Sequence, residues 1–316
     1  MISNNSNIPL AIAVGLVDDE YDYVDDPKYI SATSLLRPVK QIVLAKRVTA
    51  STPIDLEDKV ASFMGTSLHA NLEHAWTYRC KENLKKLGYP DKMIEKTVVN
   101  PETVSDGDIP IYVEQRTKRK IGDYTIGGKY DLIINGELND YKSTSVYTWI
   151  HGDKDEDYKL QGSIYRWLNS DKITSDYIRI NFIFTDWQKV HALSDPNYPK
   201  SRVQYKDIQL LSLEETERYI KNKIQQIEKY NNASEIQIPE CTDAELWRSK
   251  GKYKYYADAS KTSGRSTKNF DDASTANNYW KVTKQGKGIV IYAPGEVKRC
   301  SYCPASSVCK QRLRYL

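Results

Sequence analysis

The chain has 316 residues, 40% hydrophobic and 28% charged, a composition that supports a full buried core and excludes a peptide, a fibre or a disordered tail. Its 46 Lys+Arg against 42 Asp+Glu leave a net charge of only +4, so a surface for nucleic acid has to be local. Apolar runs such as Ile178 to Phe184 fall far short of the roughly 20 residues of a membrane span, and Met1 to Ile8 lacks a basic leader, so the expected location is cytoplasmic.

Residues 1–30 carry Asp18, Asp19, Glu20, Asp22, Asp25 and Asp26 without periodicity and read as an N-terminal arm. From Ser31 an apolar stripe of Leu35, Leu36, Ile42, Val43 and Leu44 predicts a helix, with Ser34 as cap and Pro38 in the first turn. A second helix is expected from Leu56 towards Leu87, stopped by Gly88-Tyr89-Pro90. The period then changes. Ile111 to Lys120, Thr125 to Asn135 and Glu137 to Thr144 read as strands, Tyr158 to Asn169 as a helix, and Tyr177 to Thr185 and Arg202 to Gln209 as further strands. A capping box at Ser212 and Glu215 opens a helix to about Tyr230. The expectation is an α/β core over 31–235 and an irregular module over 236–316 that ends in Cys300, Cys303 and Cys309.

Turn chemistry predicts register. Asn135-Gly136 suits a two-residue type I′ hairpin, in which opposed residues share one index sum, 271; that pairs Asp131 with Asp140. A tight turn at Gly122-Asp123 gives the index sum 245 and sets Glu114 beside Asp131. Three carboxylates in a row repel one another, so such a row calls for a hard divalent cation, Mg²⁺ or Mn²⁺, or for a shared proton. Lys142 lies two residues beyond Asp140, on the same strand face, in place to position a hydrolytic water. A lone Asp-x-Lys describes a solvated hairpin face equally well; three acids on one face favour a site. Arg116, Lys118, Arg119 and Lys120 beside this row are candidate phosphate contacts or the charges of a solvated edge strand.

Taken in order, Gly65-Thr66-Ser67-Leu68-His69, Glu114, Gly128-Lys129-Tyr130-Asp131, Asp140-Tyr141-Lys142 and Gln161-Gly162-Ser163-Ile164-Tyr165 resemble the motifs of RecB-like PD-(D/E)xK nucleases, the superfamily of the lambda exonuclease, AddB and CRISPR-associated iron-sulfur types. The resemblance spans about residues 31 to 230, with Tyr130 in place of the nominal proline and Asp140 in place of the usual glutamate. It implies a restriction-endonuclease-like core, a central mixed sheet with an antiparallel hairpin flanked by helices. It also implies that Asp131, Asp140, His69 and the Tyr141 carbonyl are metal ligands and Lys142 the catalytic lysine. Glu114 would support the metal site, and Gln161 and Tyr165 would lie near DNA and that lysine. Cys300-x2-Cys303-x5-Cys309 resembles the C-terminal cluster of the iron-sulfur members, with Cys241 or Cys80 as fourth ligand and 4Fe-4S favoured over Zn²⁺. The cluster reads as a structural clasp for 236–316.

The expected function is a divalent-metal-dependent DNA nuclease, an exonuclease of phage-type DNA processing or recombination, acting on a single strand or a duplex end. Two other classes stay open at this point. One is a non-catalytic nucleic-acid-binding protein with a zinc-type Cys₄ site; the other is a nuclease subunit active only with a helicase or recombination partner.

Overall fold

In the computed structural model, residues 2–19, 22–49 and 54–315 are described, and the chain forms two compact units, Met1–Leu36 with Ser51–Ile224 and Arg37–Ala50 with Gln225–Leu316.

The first unit is built on a six-stranded mixed sheet in the order Val203–Gln209, Tyr177–Phe184, Glu137–Thr144, Leu132–Ile134, Ile109–Val113, Thr97–Val99. Tyr177–Phe184 lies parallel to Glu137–Thr144, and Ile109–Val113 parallel to Thr97–Val99; the other neighbours are antiparallel. Strict alternation decides which way Tyr177–Phe184 faces. Ile178, Ile180, Phe182 and Phe184 are buried, while Arg179 points to the other side and bridges Glu137 and Asp207. The helix Asp155–Leu168 packs on this sheet through Gly162, where a Cβ would stand 2.9 Å from the Ile178 Cβ, so close approach requires glycine. A second, three-stranded sheet orders Tyr29–Ser31, Tyr124–Lys129 and Arg116–Ile121. This is the central mixed sheet with an antiparallel hairpin and flanking helices expected of a restriction-endonuclease-like core.

The long helix Val60–Lys86 is anchored at its C-terminal half, where Trp76, Cys80 and Leu84 join Ile94, Ile111, Val113 and Leu132. Its N-terminal half, carrying Gly65 to His69, buries little and runs past the hairpin, with Gly65 nearest the Ser143 hydroxyl. It begins four residues later than expected because Leu56–Lys59 forms a 3₁₀ turn capped by Asp55. Within the N-terminal arm, Leu10–Val17 is helical, Ile2–Ser3 pairs with Ile54–Asp55, and Tyr29–Ser31 joins the small sheet. The helix expected from Ser31 onward is two helices. Ser31, not Ser34, caps Ala32–Leu35 by accepting the Ser34 N–H, and Pro38 then starts Val39–Ala45.

That second helix belongs to the second unit. Val43 and Leu44 pack with Ile238 and Ala305, Lys40 pairs with Glu235 at 2.7 Å, and Arg47 donates to the carbonyls of Tyr230 and Asn231. The module expected as irregular also carries a three-stranded antiparallel sheet, with Lys252–Tyr256 between Lys268–Phe270 and Ile289–Ala293. Among the described residues, no helix is long and apolar enough to cross a membrane.

Candidate active site

The hairpin register is the one read from the turns. Leu132, Ile133 and Ile134 face Asn139, Leu138 and Glu137, and Asn135 and Gly136 take φ of 46° and 86°, as a type I′ turn needs. The second index sum also holds, but across a break. Arg116 faces Lys129 in the small sheet, whereas Val113 faces Leu132 in the large one. Between them the hairpin turns a corner at which Glu114 N–H donates to the Asp131 carbonyl (2.9 Å) and Tyr130 N–H to the Gln115 carbonyl (3.3 Å). The strands expected over 111–120 and 125–135 are therefore each cut in two. Glu114 sits at the corner with φ of 49°, a left-handed conformation that costs a non-glycine residue on the order of 1 kcal/mol and aims its side chain out of the strand plane.

That aim brings three elements together. His69 Nδ1, from the long helix, lies 3.4 Å from Glu114 Oε1 and 3.5 Å from Asp131 Oδ1. Among the described residues, His69, Glu114 and Asp131 are the one group of three or more potential ligand side chains whose ligand atoms all lie within 4.8 Å of one another. Asp131 Oδ2 accepts the Tyr141 N–H at 2.8 Å, and the Tyr141 ring meets His69 edge-on with centroids 5.9 Å apart. Asp140 is 1% exposed. Its Oδ1 accepts from Gln161 Nε2 at 3.3 Å, and its Oδ2 ion-pairs with Lys142 Nζ. Gln161 in turn donates to the Tyr165 hydroxyl at 3.1 Å, so the i, i+4 pair on the helix braces Asp140. The structure thus gathers Glu114 with His69 and Asp131, and places Asp140, Lys142, Gln161 and Tyr165 in an adjoining chain.

The electrostatics follow from this crowding. Burial and the neighbouring Asp140 carboxylate push the Asp131 carboxyl up to about 7 from an ordinary 3.8. The hydrogen bond to Glu114 raises the His69 pKa against the opposing effect of burial. Burial also works against the charge on Glu114, but hydrogen bonds with His69 and Lys129 outweigh it and hold this carboxyl below the usual range. For Lys142, the attraction of Asp140 and Asp131 outweighs burial and keeps the ammonium above the ordinary lysine pKa. Lys129 escaped the sequence reading as a site residue. Its Nζ pairs with Glu114 Oε2 at 2.8 Å, and its place in the Gly128-Lys129-Tyr130-Asp131 run was the available signal.

Of the four basic candidates, two are already engaged. Arg116 pairs with Asp22 (3.2 Å) and donates to the Tyr29 hydroxyl; Arg119 stacks on Trp167 and donates to its carbonyl (3.0 Å). Lys118 and Lys120 are exposed on the edge strand.

The site is also sterically tight behind the acids. A Cβ on Gly128 would stand 2.6 Å from Tyr165 Cε1 and 3.3 Å from the Ala32 Cβ. Gly128→Ala is expected to displace Tyr165 and loosen the Gln161 brace, destabilising the protein by about 1–3 kcal/mol. Urea unfolding of the variant checks this; an unchanged midpoint would contradict it.

In the second unit, Cys241, Cys300, Cys303 and Cys309 line one small apolar cavity with Lys40, Gln41 and Arg299. The buried Gln311 clamps the Cys241 backbone from both sides, accepting its N–H at 2.9 Å and donating to its carbonyl at 2.8 Å. Burial raises the Cys241 thiol to about 12, with Glu245, Cys309 and Cys303 adding to the effect. Cys80 sits elsewhere, in the apolar core of the first unit.

No protein-family model matches the chain, and no curated protein matches it. Among solved structures the chain is similar to SSO0001, at 18% identity over 64% of this chain and 78% of that one, with a TM-score of 0.36. It is also similar to a phage-related exonuclease from Haemophilus somnus 129PT, at 14% identity over 64% of this chain and 93% of that one, with a TM-score of 0.29.

Proposed function

We propose that the protein is a divalent-metal-dependent DNA nuclease of the RecB-like PD-(D/E)xK type, an exonuclease that hydrolyses phosphodiester bonds in phage-type DNA processing or recombination. The observation that carries this reading is the meeting of His69, Glu114 and Asp131 beside the buried Asp140 and Lys142 pair. Burial and the Asp140 carboxylate both oppose the charge on Asp131, a cost that a divalent cation held by these acids would offset. The buried Asp140 carboxylate has the Lys142 ammonium on Oδ2 and the Gln161 amide on Oδ1, and it adds a second negative charge beside Asp131.

His69, Glu114 and Asp131, joined by Asp140 and the Tyr141 carbonyl, are the residues that would hold Mg²⁺ or Mn²⁺. When bound, the ion supplies charge neutralisation at the phosphoryl oxygens and a lowered pKa for water. The chain's own groups do the rest. Lys129 neutralises Glu114 Oε2 and leaves Oε1 directed at His69. Lys142, kept protonated, acts as a donor rather than as a base: its Nζ orients the attacking water and donates to a phosphoryl oxygen. Gln161 and Tyr165 fix Asp140, which fixes Lys142.

In the same reading Cys241, Cys300, Cys303 and Cys309 hold a 4Fe-4S cluster. All four line one cavity, and Cys₄ can hold either zinc or a 4Fe-4S cluster. The resemblance of Cys300-x2-Cys303-x5-Cys309 to the iron-sulfur members favours the cluster.

Lys142→Ala and Lys142→Gln are expected to lower the cleavage rate of DNA in Mn²⁺ by at least about 10²-fold while leaving DNA binding in EDTA unchanged. Wild-type cleavage by either variant would contradict the assigned role.

A further inference from the structure

The corner that aims Glu114 is held by four side chains outside the ligand set. Glu114 takes φ of 49° between two strand segments, and a glutamate has no intrinsic preference for that conformation, so its surroundings have to impose it. They act on both sides of it. Asn100 Oδ1 accepts the Val113 N–H at 2.8 Å and Gln115 Nε2 at 3.1 Å, so one carboxamide oxygen bridges the two residues that flank Glu114. Asn100 is itself fixed. It follows the edge strand Thr97–Val99 with φ of 49°, and its N–H donates to the Ile111 carbonyl at 2.7 Å.

The far side of the Gln115 carboxamide is held as well. Its Oε1 accepts the Tyr130 hydroxyl at 2.8 Å and Lys172 Nζ at 2.9 Å, while its main-chain carbonyl accepts the Tyr130 N–H. Donor chemistry sets the direction of every bond. A lysine ammonium and a main-chain N–H only donate, which makes Gln115 Oε1 and Asn100 Oδ1 acceptors and turns Gln115 Nε2 toward Asn100. Tyr130 is fully buried, and its place directly before Asp131 lets its hydroxyl tie the strand of one acid to the corner of the other. Lys172 stands 4.5 Å from the Tyr112 ring centroid, which supports its ammonium beside Gln115.

We propose that Asn100, Gln115, Tyr130 and Lys172 are positioning residues of the metal site, holding the Glu114 carboxylate against His69 and Asp131 and thereby setting the affinity of that cluster for a divalent ion. Filling the interior does not require them. Apolar side chains of similar shape would pack positions 115, 130 and 172 at little cost, whereas a fully partnered polar network adds direction. Groups that orient a ligand carboxylate act on metal affinity without touching the ion. The inference rests on the nuclease reading and deepens it, by naming what aims one of its ligands.

The test is Mn²⁺ binding, followed by electron paramagnetic resonance of the free ion, to the full-length, anaerobically purified protein without DNA. Tyr130→Phe removes one oxygen and keeps the ring; Lys172→Met keeps the stem against Tyr112 and, at a half-buried position, reads the same effect independently of the Tyr130 packing. Each is expected to weaken Mn²⁺ binding by about tenfold. Cys80→Ala, a core change in the same unit, is expected to keep wild-type affinity. Wild-type affinity in Tyr130→Phe and Lys172→Met would overturn the proposal. So would an equal loss in Cys80→Ala, which would make the effect one of general stability, or a wild type that binds no Mn²⁺. Failure of the nuclease reading alone looks different: Mn²⁺ bound by wild type and weakened in the two variants as stated, with DNA left intact.

Discussion

Asp131→Asn is expected to abolish divalent-dependent cleavage and, at the same time, to make the metal-free protein more stable. The two effects share one cause. The Asp131 carboxyl, raised to about 7 by burial and by Asp140, ionises in the unfolded chain near 3.8 but not in the folded one until far higher pH. Below pH 4 both states are protonated and the group costs nothing. As pH rises from about 4 to about 7 the unfolded state loses its proton first, so folding stability falls across that window and stays low above it. A displacement of this size is worth on the order of 2–4 kcal/mol. Asparagine keeps an acceptor for the Tyr141 N–H and carries no charge to desolvate. In EDTA at pH 8 the variant should therefore unfold at a higher temperature than wild type, by roughly 5–10 °C, and the difference should vanish near pH 4. Mn²⁺ should raise the Tm of wild type and leave that of the variant in place. Because Asp131 and His69 both release protons to become ligands, the Mn²⁺ concentration that gives half the protection should fall as pH is raised from 6 to 8. Thermal denaturation scans over pH, with and without Mn²⁺, read all of these; a variant less stable than wild type at pH 8 in EDTA would contradict the account.

Cys303→Ala carries the second large effect, and it falls on the fold before the chemistry. The thiols reach their cavity from two stretches of chain, Cys241 on one and Cys300, Cys303 and Cys309 on the other, with the whole three-stranded antiparallel sheet lying between them. The apolar packing around them is slight, with Val43, Leu44, Ile238 and Ala305 as its buried members. A group that ties such stretches together contributes stability of the order seen for structural metal sites, about 10 kcal/mol. If the proposed 4Fe-4S cluster is held there, losing one ligand is expected to strip the iron and to leave this unit largely unfolded or insoluble. Cys241→Ser should behave in the same way. Cys80→Ala should not, because that thiol is packed in the core of the first unit and its loss costs about 1 kcal/mol. Iron and acid-labile sulfide content, visible absorbance and near-ultraviolet circular dichroism of the three variants separate the cases. Full iron in Cys241→Ser, or its loss in Cys80→Ala, would reverse the ligand assignment.

The parts of this site visible in the sequence were those governed by short-range rules. Asn135-Gly136 and Gly122-Asp123 dictate turns whose geometry tolerates few alternatives, and both index sums hold in the structure. The corner at Glu114 was hidden because a glutamate gives no local sign of a positive φ; only the tertiary structure around it stabilises that conformation. The Asp140 and Lys142 pair follows strand alternation, whereas the Gln161 contact to Asp140 joins a strand to a helix 21 residues on and has no local sign. The helix Val39–Ala45 shows a further limit. An apolar stripe declares that a helix is buried, not against which unit, and the pairing of Lys40 with Glu235 links residues nearly 200 apart. In the basic module the alternation Lys252-Tyr253-Lys254-Tyr255 was a strand signal, masked by the Ser, Thr and Gly around it.

The central claim is that the His69, Glu114 and Asp131 cluster, with Asp140 and Lys142 beside it, hydrolyses DNA with a divalent ion. It is tested most directly by following end-labelled single-stranded and duplex DNA with anaerobically purified wild type and Asp140→Asn in Mg²⁺, Mn²⁺ or EDTA. The account predicts metal-dependent release of label by wild type, none in EDTA and none by Asp140→Asn. Undegraded DNA under every metal condition, or equal release by Asp140→Asn, would contradict it.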